Sequence, residues 1–175
     1  NMMADGSCEY PEQGYDCDGN ITAEIGDIME GGYLFYLNET NTGGLVAAFD
    51  DIGAHEWGCH NENVQGADGI KIGTGLQNTL DVFNQNCIDE NGEIAAAPRA
   101  FEYVSDNYSN WYLPSKNELI EMYNSIGQGS SNYNIGGFAD TWYWSSSEIN
   151  NTTAWYISFG NFLISTGSKT YNDLV

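Results

Sequence analysis

Three groups of residues in this chain have the types and spacing that chemistry requires. His55-Glu56-Trp57-Gly58-Cys59-His60 brings imidazole, carboxylate and thiol into six positions, the donor types that zinc takes. The run lacks the His-x-x-x-His register of a zincin helix, Gly58 opposes a helix there, and a Cys59 held in a disulfide could not ligate. Ser145-Ser146-Ser147 beside Glu148 offers hydroxyls for a nucleophile. No Gly-x-Ser-x-Gly elbow surrounds it and no motif ties a histidine to it, so these hydroxyls are expected to satisfy buried backbone groups at a strand end. Asp16-Cys17-Asp18-Gly19-Asn20 sets oxygen ligands at alternate positions (Asp16, Asp18, Asn20) with a glycine at the bend, as a calcium loop opens. The closing acid of such a loop would fall at Asp27, with no helices to flank it; the competing reading is an ordinary acidic turn. Calcium is therefore the one cofactor the residues suggest, and no catalytic residue emerges.

The four cysteines, at 8, 17, 59 and 87, form no Cys-x-x-Cys pair, which argues against a zinc knuckle or a redox motif. Of the three pairings open to them, Cys8–Cys17 with Cys59–Cys87 fits the spacing best. Each loop so closed would contribute on the order of 3 kcal/mol. Disulfides imply an oxidising, extracellular setting.

The length of 175 residues suits one domain, alone or with a short appendage, able to bury a real core. Acidic residues outnumber basic ones 25 to 4, a net charge of −21 that repels nucleic acid and anionic membranes. The same acidity favours solubility and cationic ligands, and is equally what a salty habitat selects. No apolar run is long enough to span a bilayer, so no membrane insertion is expected. The opening Asn1-Met2-Met3 carries no signal-like segment and reads as a processed product or a fragment.

The elements that must position these residues read as an α+β pattern. Residues 1–28 are rich in Gly, Asp, Glu and Pro and read as a disulfide-pinned acidic lead-in outside the core; residues 29–175 read as the domain proper. Tyr33-Leu-Phe-Tyr-Leu37 and Gly44-Leu-Val-Ala-Ala-Phe49 predict a hairpin. Leu76, Leu80 and Phe83 recur at helical spacing behind Thr74 as an N-cap, predicting a helix to about Cys87. A second helix is expected within 94–104, starting late because Pro98 suits only a first turn. Trp111-Tyr112-Leu113 reads as a short strand, and Ser115-Lys-Asn-Glu118 as a capping box opening a third helix that buries Leu119, Met122 and Tyr123.

Two Trp-anchored strands follow, Trp142-Tyr-Trp-Ser-Ser-Ser-Glu148 and Ala154-Trp-Tyr-Ile-Ser-Phe159, around a short polar loop. Trp111, Trp142, Trp144 and Trp155 could stack on a sugar, but their strand positions favour core packing. The later segment mixes Tyr, Ser, Asn, Thr and Gly, as antibody paratopes do: Tyr supplies contact area with few rotatable bonds, the others adaptable hydrogen bonds. The expected contact residues are Asn150, Asn151, Thr152, Thr153, Tyr156, Ser158, Asn161, Phe162, Ile164, Ser165, Thr166, Ser168 and Tyr171, forming one face.

The string Trp111-Tyr-Leu-Pro-Ser-Lys-Asn-Glu-Leu119, then Met122-Tyr123, Tyr143-Trp-Ser-Ser-Ser-Glu148 and Ala154-Trp155, resembles the C-terminal domain family of bacterial collagen-like adhesins. Gly31-Gly-Tyr-Leu-Phe-Tyr36, Trp57-Gly-Cys59, Ile72-Gly-Thr-Gly-Leu-Gln-Asn-Thr79 and Ala95-Ala-Ala-Pro-Arg-Ala100 fit as well, so the resemblance covers roughly 29–175. That family is a branch of the C-type-lectin-like superfamily. The resemblance implies a C-type-lectin-like fold, loop-rich, with two to three short helices packed on small antiparallel sheets. Members occur in surface adhesins, in receptor-binding proteins of phage and archaeal viruses, and as variable proteins of diversity-generating retroelements. Retroelement diversification turns Asn codons into many residues but never Trp, Lys, Gln, Glu or Met. In residues 149–175 only Trp155 and Lys169 fall outside that set, and both match fixed positions of the family pattern.

The resemblance thus implies a non-catalytic binding module at a cell surface, on a virion or in the extracellular space, recognising a cell-surface protein or glycan. A homo-oligomer, a trimer for heads on fibrous stalks, is expected. The alternative is a decoration or filament subunit with no ligand. Formylglycine-generating enzymes share the superfamily but need a cysteine pair late in the chain, and none follows Cys87. The family pattern also continues into a basic–apolar strand near the N-terminal hairpin, a motif not found before Val175, so two readings stay open: a truncated chain, or a final strand not captured in this sequence.

Overall fold

A computed structural model describes residues 13–105 and 107–175. It is an α+β structure of strands β1 (Ile28–Met29), β2 (Gly32–Leu37), β3 (Gly44–Ala48) and β4 (Ala54–His55), helices α1 (Gly75–Asn84), α2 (Ala96–Phe101) and α3 (Lys116–Ser125), and strands β5 (Trp142–Asn150), β6 (Thr153–Ser158), β7 (Leu163–Ser168) and β8 (Asp173–Leu174). The strands form two small sheets, ordered β1-β2-β3 and β4-β8-β5-β6-β7. All pairings are antiparallel except β5 with β8, which are parallel at Tyr143↔Leu174.

The expected hairpin is β2–β3, with a bulge between Leu34 and Tyr36. Asn38 organises its loop, its side-chain oxygen accepting from the Thr42 backbone at 3.0 Å and the Thr40 hydroxyl at 3.2 Å. The lead-in is described from residue 13 onward and packs on the first sheet. Ile21 is buried in a small cluster with Met29 and Leu34.

Helix α3 starts as expected. The Ser115 hydroxyl accepts from the Glu118 backbone at 3.4 Å, and Glu118 Oε2 accepts from the Ser115 backbone at 2.7 Å. Leu119 is fully buried, while Met122 and Tyr123 are half-buried. Helix α2 is shorter than the expected 94–104, with Pro98 in its first turn where its missing N–H costs nothing.

Helix α1 departs from its hydrophobic periodicity. Its buried face is Gly75, Asn78, Thr79 and Val82, whereas Leu76 is exposed. The reason is hydrogen bonding to neighbouring loops. Asn78 Nδ2 donates to the Gly69 carbonyl at 2.6 Å and its Oδ1 accepts from Gly69 N–H at 3.1 Å. The Thr79 hydroxyl lies between the Leu113 carbonyl (3.3 Å) and the Leu113 N–H (3.1 Å). For that reason 111–113 is not the strand its sequence predicts: Leu113 is held by a helix side chain, not by a β-ladder. Thr74 does flank the helix, but its hydroxyl donates backward to Lys71 O at 2.7 Å and caps nothing.

Two apolar clusters fill the interior. One joins Trp57, Val82, Ala96, Leu113 and Trp144; the other joins Phe35, Leu119, Phe138, Tyr143, Ile157 and Phe159. Of the four tryptophans assigned to the core, only Trp144 is fully buried. Trp111, Trp142 and Trp155 are half-buried, and Trp57 supplies the second deep indole.

Candidate binding face

Behind the C-terminal strands lies a frame of buried polar groups. Ser145, Ser146 and Ser147 are wholly buried within β5. Ser145 Oγ donates to Trp155 O at 3.0 Å, Ser147 Oγ donates to Gly69 O at 2.6 Å, and Ser147 Oγ accepts from Lys116 N at 3.0 Å. These hydroxyls satisfy backbone groups as expected, though in mid-strand, and no histidine is hydrogen-bonded to them.

Next to them the sequence reading missed the strongest polar interaction of the site. Lys169, with no solvent exposure, donates to Glu148 Oε1 at 2.5 Å and to Glu62 O at 2.8 Å, and its ammonium sits 4.5 Å over the Trp57 ring. The Glu148 carboxylate also accepts from Val64 N at 2.9 Å. Desolvation holds the Lys169 pKa below its ordinary value against the opposing pull of Glu148. The signal in the sequence was compositional: Lys169 is the only basic residue after Lys116.

The segment around His55 serves this frame. Cys59 and Cys87 form the expected disulfide. Trp57 Nε1 donates to Ser145 O at 2.9 Å, and buried Glu56 accepts from Glu90 N at 3.1 Å. Gly58 holds a positive φ of 88°, and a Cβ there would collide with Ala95. No group of three or more His, Cys, Asp or Glu side chains is arranged to hold a metal ion among the described residues.

The proposed calcium turn, with two carboxylates and an amide, has its own hydrogen bonds. Asp16 Oδ1 accepts from the Asp18 and Asn20 backbones at 2.9 and 2.8 Å, and Oδ2 accepts from Asn20 Nδ2 at 2.8 Å. These bonds lower the Asp16 pKa and shape residues 16–20 as an Asx turn. The Cys8–Cys17 pairing has its first half outside the described residues; Cys17 itself carries no free thiol.

The expected contact residues do not lie on one face. Directly opposed residues of paired strands share a side of the sheet. With Trp155↔Thr166 and Ile157↔Ile164 in register, Thr153, Ile164, Thr166 and Ser168 project on the α3 side. Tyr156, Ser158 and Ser165 project on the opposite side, with Trp142 and Leu163. Asn150 closes the β5–β6 turn, accepting from Thr152 N at 2.9 Å and Thr153 N at 3.1 Å, with Asn151 exposed beside it. Ser158 is 6% exposed, so it is withdrawn as a contact residue: it lies too deep under its neighbours.

Each side has an aromatic base. On the α3 side, Phe162 stacks on Tyr123 with ring centroids 4.4 Å apart, and Lys116 lies 4.6 Å over Trp155. On the other, Trp142 stacks on Tyr156 at 4.1 Å, next to exposed Leu163 and Tyr171. Gly167 lies beneath this second shelf, where a Cβ would crowd Trp144, Tyr156 and Tyr171. Trp142 and Leu163 therefore join the site, and β7 is the outer strand of its sheet among the described residues. Next to the shelf, desolvation raises the Asp173 pKa to about 6, and its Oδ2 is buried without a hydrogen-bond partner.

Fold and site together define an α+β domain whose exposed aromatic and hydroxyl surface is braced by a buried ion pair and a disulfide. No protein-family model matches the chain, and no curated protein matches it at a significant level. Among the described residues no helix is long and apolar enough to cross a membrane.

Proposed function

We propose that this chain is an extracellular or virion-surface binding module of C-type-lectin-like type, an adhesin or receptor-binding head that recognises a cell-surface protein or glycan. The observation that carries the reading is a division of labour along the last strands. Trp144, Glu148, Ile157, Phe159 and Lys169 are buried and tied to the body, while Asn161, Phe162, Leu163, Ile164, Thr166 and Tyr171 between and beside them are exposed. Such a surface can change residue by residue while its support stays intact, which suits recognition and retroelement diversification. Catalysis would need reactive groups converging on one point, whereas Ser145 and Ser147 donate their hydroxyls to backbone carbonyls and Ser146 accepts from the Asn78 side chain. Cys59–Cys87 supports an oxidising compartment.

Since the surface has two sides, the ligand is expected on the Trp142–Tyr156 shelf with Leu163 and Tyr171, where stacked rings offer a rigid platform. The test is binding to intact cells and glycan arrays by wild type, by Trp142→Ala/Tyr171→Ala, and by Ile164→Ser/Thr166→Ala on the α3 side. The shelf variant is expected to lose at least tenfold in affinity and the α3-side variant little. Equal binding by all three would remove the reading. A filament or decoration subunit is the second reading, favoured by the place of β7 at the sheet edge among the described residues and by its exposed Leu163 and Ile164. Concentration-dependent assembly abolished by Leu163→Lys would support it.

A further inference from the structure

Away from the C-terminal face, a cavity of about 490 Å³ opens between β3 and the 107–114 segment. That volume is in the range of small-molecule sites, whereas well-packed interiors leave few voids larger than a water. Its inner wall is apolar and aromatic, made by Leu45, Leu113, Leu119, Phe138 and Trp144. Its mouth carries the carboxylates Glu30, Asp50 and Asp51, and no described lining residue is basic.

One of these acids is fixed in place. Tyr143, itself buried, donates its hydroxyl to Asp51 Oδ2 at 2.8 Å and accepts from Ala139 N at 2.9 Å. Trp111 and Tyr103, rings 6.3 Å apart, add π-faces to the lining. Carboxylate and aromatic rings around an apolar chamber are what a hydrophobic amine needs: an ion pair and cation–π contact for the ammonium, burial for the body.

We propose that this cavity is a binding site for a small organic cation, an ammonium group on an aryl or alkyl body, with Asp51 as its counter-charge and the Leu113–Leu119–Phe138 wall as its apolar seat. Desolvation raises the Asp51 pKa, in opposition to the Tyr143 hydrogen bond and with a smaller push from Asp50. Asp51 is itself exposed, so an ammonium can reach it from solvent and supply the positive charge that no described lining residue provides. Trp144 backs both this cavity and the Trp142–Tyr156 shelf, but the contact residues differ, so either binding function can fail without the other.

The test is calorimetric titration, with tryptophan fluorescence in parallel, using 4-phenylbutylamine, the neutral 4-phenylbutan-1-ol and anionic 4-phenylbutyrate. The amine is expected to bind saturably, at least tenfold tighter than the alcohol, with the acid weakest. Asp51→Asn is expected to reduce the amine to the affinity of the alcohol, and Leu45→Trp, which fills the chamber, to weaken both. Near-UV circular dichroism identifies any variant that fails to fold. Equal affinity for amine and alcohol, or an amine unaffected by Asp51→Asn, would overturn the proposal. So would binding of an extended apolar peptide along β3 with no binding of the amine.

Discussion

Lys169 and Glu148 show at single-residue scale how the surface is held. A buried pair is costly to assemble, but removing one partner leaves the other charged, dry and unmatched. Lys169→Met is expected to destabilise by about 3–5 kcal/mol in urea unfolding, and Glu148→Gln/Lys169→Met to recover a large part of it. Recovery would show that the penalty comes from the stranded carboxylate rather than from the loss of the pair itself. Asp173 gives a pH signature. Its folded pKa of about 6 exceeds its ordinary 3.8, so the native state holds a proton that the unfolded state has released. Its contribution is full below the lower value and is lost as pH rises through the upper one. Asp173→Asn is expected to raise stability at pH 7 by about 1 kcal/mol after allowance for partial exposure, and to flatten the decline measured by thermal melts between about pH 4 and 7.

At the scale of elements, α3 is anchored by its own Glu118, which bonds both within the helix start and to a distant loop. That fully buried carboxylate accepts from the Ser115 backbone and also from Gly73 N at 2.6 Å, joining the helix start to the loop before α1. A cap alone is worth about 1 kcal/mol, and a lost buried network more. Ser115→Ala is therefore expected to cost about 1 kcal/mol and Glu118→Ala at least twice that, compared by denaturant midpoints. The capping-box motif was legible because it is local. The Gly73 contact was not, since its partners lie 45 positions apart. Helix α1 teaches the converse: Leu76 follows the period yet faces solvent, because Asn78 and Thr79 make tertiary hydrogen bonds that outweigh the burial of one leucine.

For the whole molecule the Cys59–Cys87 link spans 28 positions and ties the end of α1 to the segment carrying Trp57. Closing such a loop stabilises by roughly 3–4 kcal/mol in the chain-entropy account. Reduction with a thiol is expected to lower the melting temperature by several degrees and to loosen the Lys169 seat with it, seen as a change in Trp57 fluorescence. With a net charge of −21, salt is expected to raise stability by screening self-repulsion.

Local signals determined much of the protein from sequence alone: the β2–β3 hairpin, the α3 cap, the two tryptophan strands, the Cys59–Cys87 pair and the α+β class. Each depends on periodicity, turn chemistry or spacing within a short stretch, or on cysteine chemistry that admits few partners. Only the tertiary structure decided which tryptophans are buried, that Lys169 finds Glu148 beneath Trp57, and that the proposed contact residues divide between two sides of a sheet. Those outcomes depend on strand register and on partners brought together from distant parts of the chain. A strand's alternation says that neighbours point apart, but the layers packed on either side decide which of them meets water.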